Sequence, residues 1–199
     1  HVVGDFDGDG RPDLLMLGMN AFAAERMEQL HLGPPGFEQT TVGRASMIAG
    51  NRLWLNRGTN RWEIPAWEPQ IARTGWTWGA TLLDADNDGH EELYVANGFL
   101  SGLSATDWDN EFWCSLMYFW EVGTPDAWQK FRAARLGGAD PSQTSWGGNY
   151  RNQLLTPGPG GWRDLAWLAG IALPEDSRCV AAQDFDGDGR QDLVVTTAE

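Results

Sequence analysis

Residues 180–196 read VAAQDFDGDGRQDLVVT. A short apolar run leads into Asp-x-Asp-x-Asp-Gly-x-x-Asp, and a second apolar run beginning with Leu193 leaves it. The pattern occurs twice more, as VVGDFDGDGRPDLLML over residues 2–17 and as ATLLDADNDGHEELYVA over residues 80–96. Self-similarity of this kind marks a repeat architecture, in which each unit buries its apolar face against the next. The runs that leave the loops (14–17, 93–96 and 193–196) are short and partly β-branched, which favours strands over helices. Each unit therefore reads as strand, acidic loop, strand.

A second repeated element lies between the loops. NRLWLNRGTNRW (residues 51–62) and NQLLTPGPGGW (residues 152–162) each carry an apolar strand, a turn rich in Gly, Pro or Asn, and an aromatic on the return strand. LHLGPPGF (residues 30–37) is a shorter version. Hairpins alternating with acidic loops predict an all-β fold, most simply the blades of a β-propeller. At about 40–50 residues per blade the chain holds about three to four. The loops start 79 and 100 residues apart, so either long insertions separate three blades or a blade without an acidic loop intervenes.

Two stretches break the β pattern. NAFAAERME (residues 20–28) has good helix formers behind Asn20, which is placed as an N-cap. A longer irregular or helical insertion is expected over residues 107–145. Within it TPDAWQKFRAARLG (residues 124–137) sets Pro125 at the first helical position, Lys130, Arg132 and Arg135 late, and Gly137 at the stop. Trp128, Phe131 and Leu136 share one face of that helix by spacing.

The acidic loops carry the most specific chemistry. Alternate carboxylates at positions 1, 3 and 5 converge when the backbone curls, and Gly at position 6 permits the turn. A carbonyl at position 7 and an acid at position 9 complete an oxygen cage suited to Ca²⁺. The side-chain ligands are Asp5, Asp7, Asp9 and Asp13 in the first loop, and Asp84, Asp86, Asp88 and Glu92 in the second. In the third they are Asp184, Asp186, Asp188 and Asp192. Arg11, His90 and Arg190 supply the carbonyls, so up to three Ca²⁺ ions are expected. Glu92 is one methylene longer than its counterparts, which alters the reach at position 9. Asp and Gly are also common in solvated turns. Four carboxylates within nine residues, repeated at one spacing in three places, nevertheless repel strongly without a cation. An EF-hand is rejected: its position 12 demands Glu, and here Met16, Val95 and Val195 stand there.

These loops and the strands that follow them resemble the FG-GAP/VCBS repeat of calcium-binding β-propellers. TGWTWGATLLDADNDGHEELYVANG (residues 74–98), GNRLWLNRGTNRW (residues 50–62), RNQLL, GWRDLAWLAGI and DSRCVAAQDFDGDGRQDLVV (from Arg151, Gly161 and Asp176) resemble the ASPIC/UnbV group, which includes cartilage acidic protein. The resemblance implies a secreted, periplasmic or cell-surface module for adhesion or assembly, with a protein or glycan ligand or further propeller blades as partner. It implies no known reaction. A propeller-based polysaccharide lyase or hydrolase using calcium, or a purely structural subunit, are the competing expectations.

Composition bounds the rest. The chain has 199 residues, 42% of them hydrophobic, enough for one packed domain or a large part of one. The net charge of -14 argues against nucleic acid and anionic membrane surfaces, which attract Lys and Arg clusters. No apolar run approaches the ~20 residues of a membrane span. The opening on His1, inside a strand-loop-strand unit, suggests a portion of a longer polypeptide. No nucleophile motif, phosphate loop or dinucleotide fingerprint occurs, and the histidines at positions 1, 31 and 90 have ordinary explanations, so no enzyme is expected. Cys114 and Cys179 cannot build a disulfide framework and are read as two thiols, with Cys179 buried. Trp54, Trp62, Trp76, Trp78 and Trp162 recur at matched places and are assigned to the core. Trp108, Trp113, Trp120, Trp128 and Trp146 crowd the insertion, where both a core and a recognition surface for a sugar or protein partner stay open.

Overall fold

The structure, a computed structural model, describes residues 1–32, 43–45, 48–103, 106–122, 126, 129–130, 133 and 143–198. Each acidic loop joins two antiparallel strands, as its flanking apolar runs require. The pairs are β1 (Val2–Gly4) with β2 (Asp13–Met16), β5 (Thr77–Leu83) with β6 (Glu92–Asn97), and β9 (Ser177–Gln183) with β10 (Asp192–Thr197). Gly4 faces Asp13, Leu83 faces Glu92, and Gln183 faces Asp192. One register therefore serves all three repeats: the residue before the loop pairs with the acid that ends it.

Both expected hairpins form. β3 (Arg52–Asn56) and β4 (Trp62–Glu63) extend the first pair into a four-stranded antiparallel sheet of order β1-β2-β3-β4. β7 (Gln153–Thr156) and β8 (Arg163–Asp164) do the same for the second, giving β5-β6-β7-β8. β9 and β10 form a two-stranded ribbon. The fold is mostly β, with antiparallel sheets and few helices. The helical excursions fall at one topological place, between the second and third strands of each sheet: α1 (Phe22–Gln29) in the first and α3 (Trp108–Val122) in the second. These excursions, and no further sheet among the described residues, account for the wide spacing of the acidic loops. The hairpin read over residues 30–37 and the helix over residues 124–137, including Trp128, Phe131 and Leu136, lie largely outside the described residues. Of that helix, Asp126 and Lys130 form an ion pair at 2.6 Å.

The two sheets and the ribbon pack as successive layers. Leu15, Leu53 and Leu55 of the first sheet meet Leu93, Val95 and Leu155 of the second, joined by Val2, Phe6 and Ile71. On the other face of the second sheet, Leu83, Tyr94, Ala96 and Leu154 pack with Val180, Ala182, Leu193 and Val195 of the ribbon. Alternation along β6 thus sends Leu93 and Val95 one way and Tyr94 and Ala96 the other. All six of its residues are buried. Two short helices, α2 (Pro69–Ala72) and α4 (Ala166–Ala169), follow the fourth strands and contribute Ile71 and Ala166 to these cores.

Buried amides tie the layers together at matched positions. Asn51, just before β3, accepts from the Gly18 N–H at 3.1 Å and donates to Ile71 O and Thr74 Oγ1 at 3.0 and 2.9 Å. Asn152, just before β7, accepts from the Asn97 N–H at 2.8 Å and donates to Ser177 Oγ at 2.8 Å. Each amide therefore holds the end of a second strand, the start of a third, and the chain entering the next layer. A carboxamide alone offers an acceptor and two donors at once in such a buried position.

Three expectations require correction. Ala21 stands at the N-cap of α1, while Asn20 is buried and its N–H donates to Gly75 O at 2.8 Å. The repeat tryptophans are not the core: Trp62 and Trp78 are 50% and 47% exposed, and Trp54, Trp76 and Trp162 are only partly buried. The layers are filled by directly paired Leu and Val, and the larger indoles sit at their rims, where Trp162 stacks on Trp67 at 6.0 Å. Trp113 of the insertion is buried instead, donating Nε1–H to Asp109 Oδ1 at 2.9 Å. Burial, opposed by that hydrogen bond and aided by the charge of Asp107, pushes the Asp109 carboxyl up to about 6. Cys114 and Cys179 both carry thiols, as expected, but Cys179 is exposed, because it lies on the outward face of the ribbon.

Leu93 touches the first sheet and pairs within the second. Leu93→Ala should lower stability by about 2–5 kcal/mol in urea unfolding. Trp167→Ala, at a side chain 70% exposed with the Arg151 guanidinium 5.0 Å over its ring, should change it by no more than about 1 kcal/mol.

Candidate metal centres

Each acidic loop folds around its first carboxylate. Asp5 Oδ1 accepts from the N–H groups of Gly8 and Asp9 at 2.9 and 3.1 Å, and Oδ2 from Gly10 at 2.7 Å. Asp184 takes Gly187, Asp188 and Gly189 at 2.7, 3.1 and 2.8 Å. Asp84 takes Asp88 and Gly89, both at 3.0 Å. Wrapping the chain this tightly drives two residues per loop into the left-handed region. At position 6 these are Gly10, Gly89 and Gly189, with φ of 80°, 88° and 86°. At position 4 they are Gly8, Asn87 and Gly187, with φ of 75°, 59° and 79°. Only the first of these two requirements was read from the sequence. Asn87 stands where its siblings have Gly because Asn tolerates this region best among side-chain-bearing residues.

The position-9 acid closes the loop from the strand side. Asp13 Oδ2, Glu92 Oε2 and Asp192 Oδ2 accept from the N–H groups of Phe6, Ala85 and Phe185 at 2.9, 2.8 and 3.0 Å. The extra methylene of Glu92 is thus absorbed without loss of the contact. In every loop, carboxylate oxygens from positions 1, 3 and 9 gather within 4.8 Å of one another: Asp5, Asp7 and Asp13; Asp84, Asp86 and Glu92; Asp184, Asp186 and Asp192. The position-5 acids stand outside these trios. Asp9, Asp88 and Asp188 instead accept from the N–H of position 7, on Arg11, His90 and Arg190, at 2.9, 2.8 and 2.9 Å. The side chains of Arg11, His90 and Arg190 are exposed, and those of Arg11 and Arg190 turn back onto Asp9 and Asp188.

The donor set is hard oxygen throughout. Two Ca–O bonds span at most about 5 Å, so trios gathered within 4.8 Å fit a single Ca²⁺ ion. The electrostatics divide by position. Asp5 feels desolvation that raises its pKa, but the N–H groups of Gly10, Asp9, Gly8 and Asp7 outweigh it and hold the carboxyl below its usual value. Asp184 is lowered by the Gly189 N–H and its neighbours against slight desolvation. Asp188 is lowered by the Arg190 side chain and N–H. Asp13 and Glu92, set into the sheets, move the other way. Desolvation raises both, against the N–H groups of Asn56 and Phe6 for Asp13 and of Ala85 for Glu92. The other loop carboxylates add to the rise, Asp7 and Asp9 for Asp13 and Asp86, Asp88 and Asp84 for Glu92.

Beside the first loop a cleft of about 470 Å³ opens between the first and second sheets, lined by Phe6, Asp7, Trp67, Gln70 and Trp162 among others. Gln70 Oε1 accepts from the Trp162 N–H at 2.7 Å and fixes one wall. No helix among the described residues is long and apolar enough to cross a membrane.

A family model described as an FG-GAP-like repeat matches residues 41–95. That span contains β3, β4, α2, β5, the second acidic loop and most of β6. It supports the FG-GAP/VCBS reading. Comparison with curated proteins finds no match.

Glu92 yields a pH test. Its folded pKa lies above the ordinary 4.5, so folding favours its protonated form. That stabilisation is complete below the unfolded pKa and is lost as pH rises through the folded one. Thermal melts in EDTA should therefore show stability falling over this range in the wild type and a flatter profile in Glu92→Gln. The variant should also be the more stable of the two at pH 7 without metal.

Proposed function

We propose that this chain is a calcium-stabilised β-propeller module of the ASPIC/UnbV type. It acts outside the cytoplasm in binding or assembly with a protein or glycan and carries out no reaction of its own. The observation that carries the reading is the threefold acidic loop, in one register, at the same corner of three successive layers. A cation at each loop offsets carboxylate repulsion at the point where the first and second strands of a layer diverge, and so pins one strand pair to its turn. Two antiparallel four-stranded meanders stacked face to face, with a third strand pair on the outer face of the second, are what blades of a propeller require.

Further strands of the third layer, or a partner that supplies them, suit the unpaired edge of β10. Trp67, in the helical turn after the first hairpin, is covered by Trp162 of the second sheet. Trp167 holds the matching place after the second hairpin and is 70% exposed, with Leu168 beside it at 83%. The third strand that flanks β2 and β6 has no counterpart at β10 among the described residues. Ligand recognition suits the aromatic cleft beside the first loop, where Trp67, Trp162 and Phe6 offer apolar walls next to the Asp7 carboxylate.

Calcium decides the reading. A cation bound only by the folded chain stabilises it by about 2.7 kcal/mol at a hundredfold excess over Kd. Ca²⁺ should raise the melting temperature and EDTA should lower it, and calorimetry should count three sites in the wild type and two in Asp186→Ala. Absence of calcium uptake together with an unchanged melt would overturn the proposal.

A further inference from the structure

The three loops share their backbone but not their surroundings. In the first loop Arg57 Nη1 lies 2.5 Å from Asp7 Oδ2 and 3.2 Å from Asp9 Oδ2, while its Nε reaches Glu63 at 3.0 Å. Arg57 comes from the β3–β4 turn, far from the loop in sequence, and its side chain is only 23% exposed. Arg11 adds a second contact to Asp9 and also donates from Nε to Asn56 O at 2.6 Å. In the third loop, among the described residues, Arg190 alone pairs with an acid, Asp188. In the second loop no Lys or Arg pairs with Asp84, Asp86, Asp88 or Glu92 among the described residues. The hairpins explain the contrast. Asn56 and Thr156 end the matched strands β3 and β7, and the next residue is Arg57 in one and Pro157 in the other. Pro157 offers the second loop no charge.

We infer that Arg57 is a built-in counter-ion that occupies the first loop in place of a divalent cation, making that loop the weakest of the three calcium sites and the second loop the strongest. The inference rests on the calcium reading above. Asp7 is one of the three carboxylates gathered for a cation, and a guanidinium already bonded to it competes with Ca²⁺ for that carboxylate. A cation arriving there does not relieve an uncompensated cluster; it displaces one partner with another. Its net gain is smaller by the strength of the pair lost. Arg57 also joins the loop to Glu63 on β4, so metal-free folding of the first sheet has an internal substitute for the ion. Among the described residues, no Lys or Arg links the second or third loop to a neighbouring strand in this way.

The test uses the full chain carrying Asp86→Ala and Asp186→Ala, which leaves the first loop as the intact site, with calcium titrated by calorimetry. Adding Arg57→Gln should tighten binding by up to about fivefold and lower the melting temperature in EDTA, while Arg57→Lys, which keeps the charge, should tighten it far less. An unchanged or weaker affinity in Arg57→Gln overturns the inference, as does equal tightening by Gln and Lys, which would mark a shape effect of the hairpin. Failure of the unmutated chain to take up any calcium would overturn the calcium reading itself. Uptake at the second and third loops with no response to Arg57→Gln would overturn this inference alone.

Discussion

Burial of the second sheet on both faces is the constraint from which the rest of the structure follows. β6 runs through the middle of that sheet, paired on each side, and its alternate residues enter two separate cores. Such a strand has no polar face, which is why it reads ELYVAN without the alternation of a half-exposed strand. The first sheet and the ribbon each have one face turned to a neighbour. β3 accordingly alternates between buried and partly buried residues, and β10 is partly buried at Leu193 and Val195 but 49% exposed at Val194.

Layers that slide over one another would lose this burial, and two sets of polar contacts oppose sliding. The amides of Asn51 and Asn152 hold strand ends to the chain entering the next layer from inside the protein, where an unmade hydrogen bond is costly. The acidic loops hold the opposite, exposed ends of the first two strands. In the first loop the position-9 acid also reaches the sheet, because Asp13 spans the loop N–H of Phe6 and the strand N–H of Asn56 at 2.9 and 2.7 Å. A cation at such a loop would thus act on the register of a sheet as well as on the turn. Where Arg57 stands in, the same mechanical link runs through a guanidinium to β4.

The helical excursions leave this scaffold at equivalent points and return to it without disturbing either sheet. α1 and α3 pack on each other, with Ala21, Ala24, Met27, Ile48 and Trp113 forming a small core of their own. This arrangement puts variation in length on one side of the layers and the acidic loops at strand corners. Insertions of different size are thereby compatible with a constant repeat, since sheet register is set by strand pairing and the Asn contacts rather than by the length of chain between strands.

The strand-loop-strand units, both main hairpins and the acidic residues were legible in the sequence because local rules decide them. A two-residue period makes strands, a left-handed turn selects Gly, and closely spaced carboxylates announce themselves. Of the helices, α1 was legible from its run of helix formers, although its cap was misplaced by one residue. The longer α3 was legible only as part of an irregular or helical insertion, and the one-turn helices α2 and α4 were not read. What the sequence could not supply was which residues meet across the layers. Trp54, Trp62 and Trp78 recur like core residues, yet recurrence records a shared place in a repeat and not its depth; only the stacking put Leu15, Leu93 and Tyr94 inside and the indoles at the rims. Arg57 and Asp7 are likewise distant in sequence and ordinary in type. Their pairing arises because the hairpin turn of a sheet folds back beside the loop of that sheet, and charge acts through space rather than along the chain.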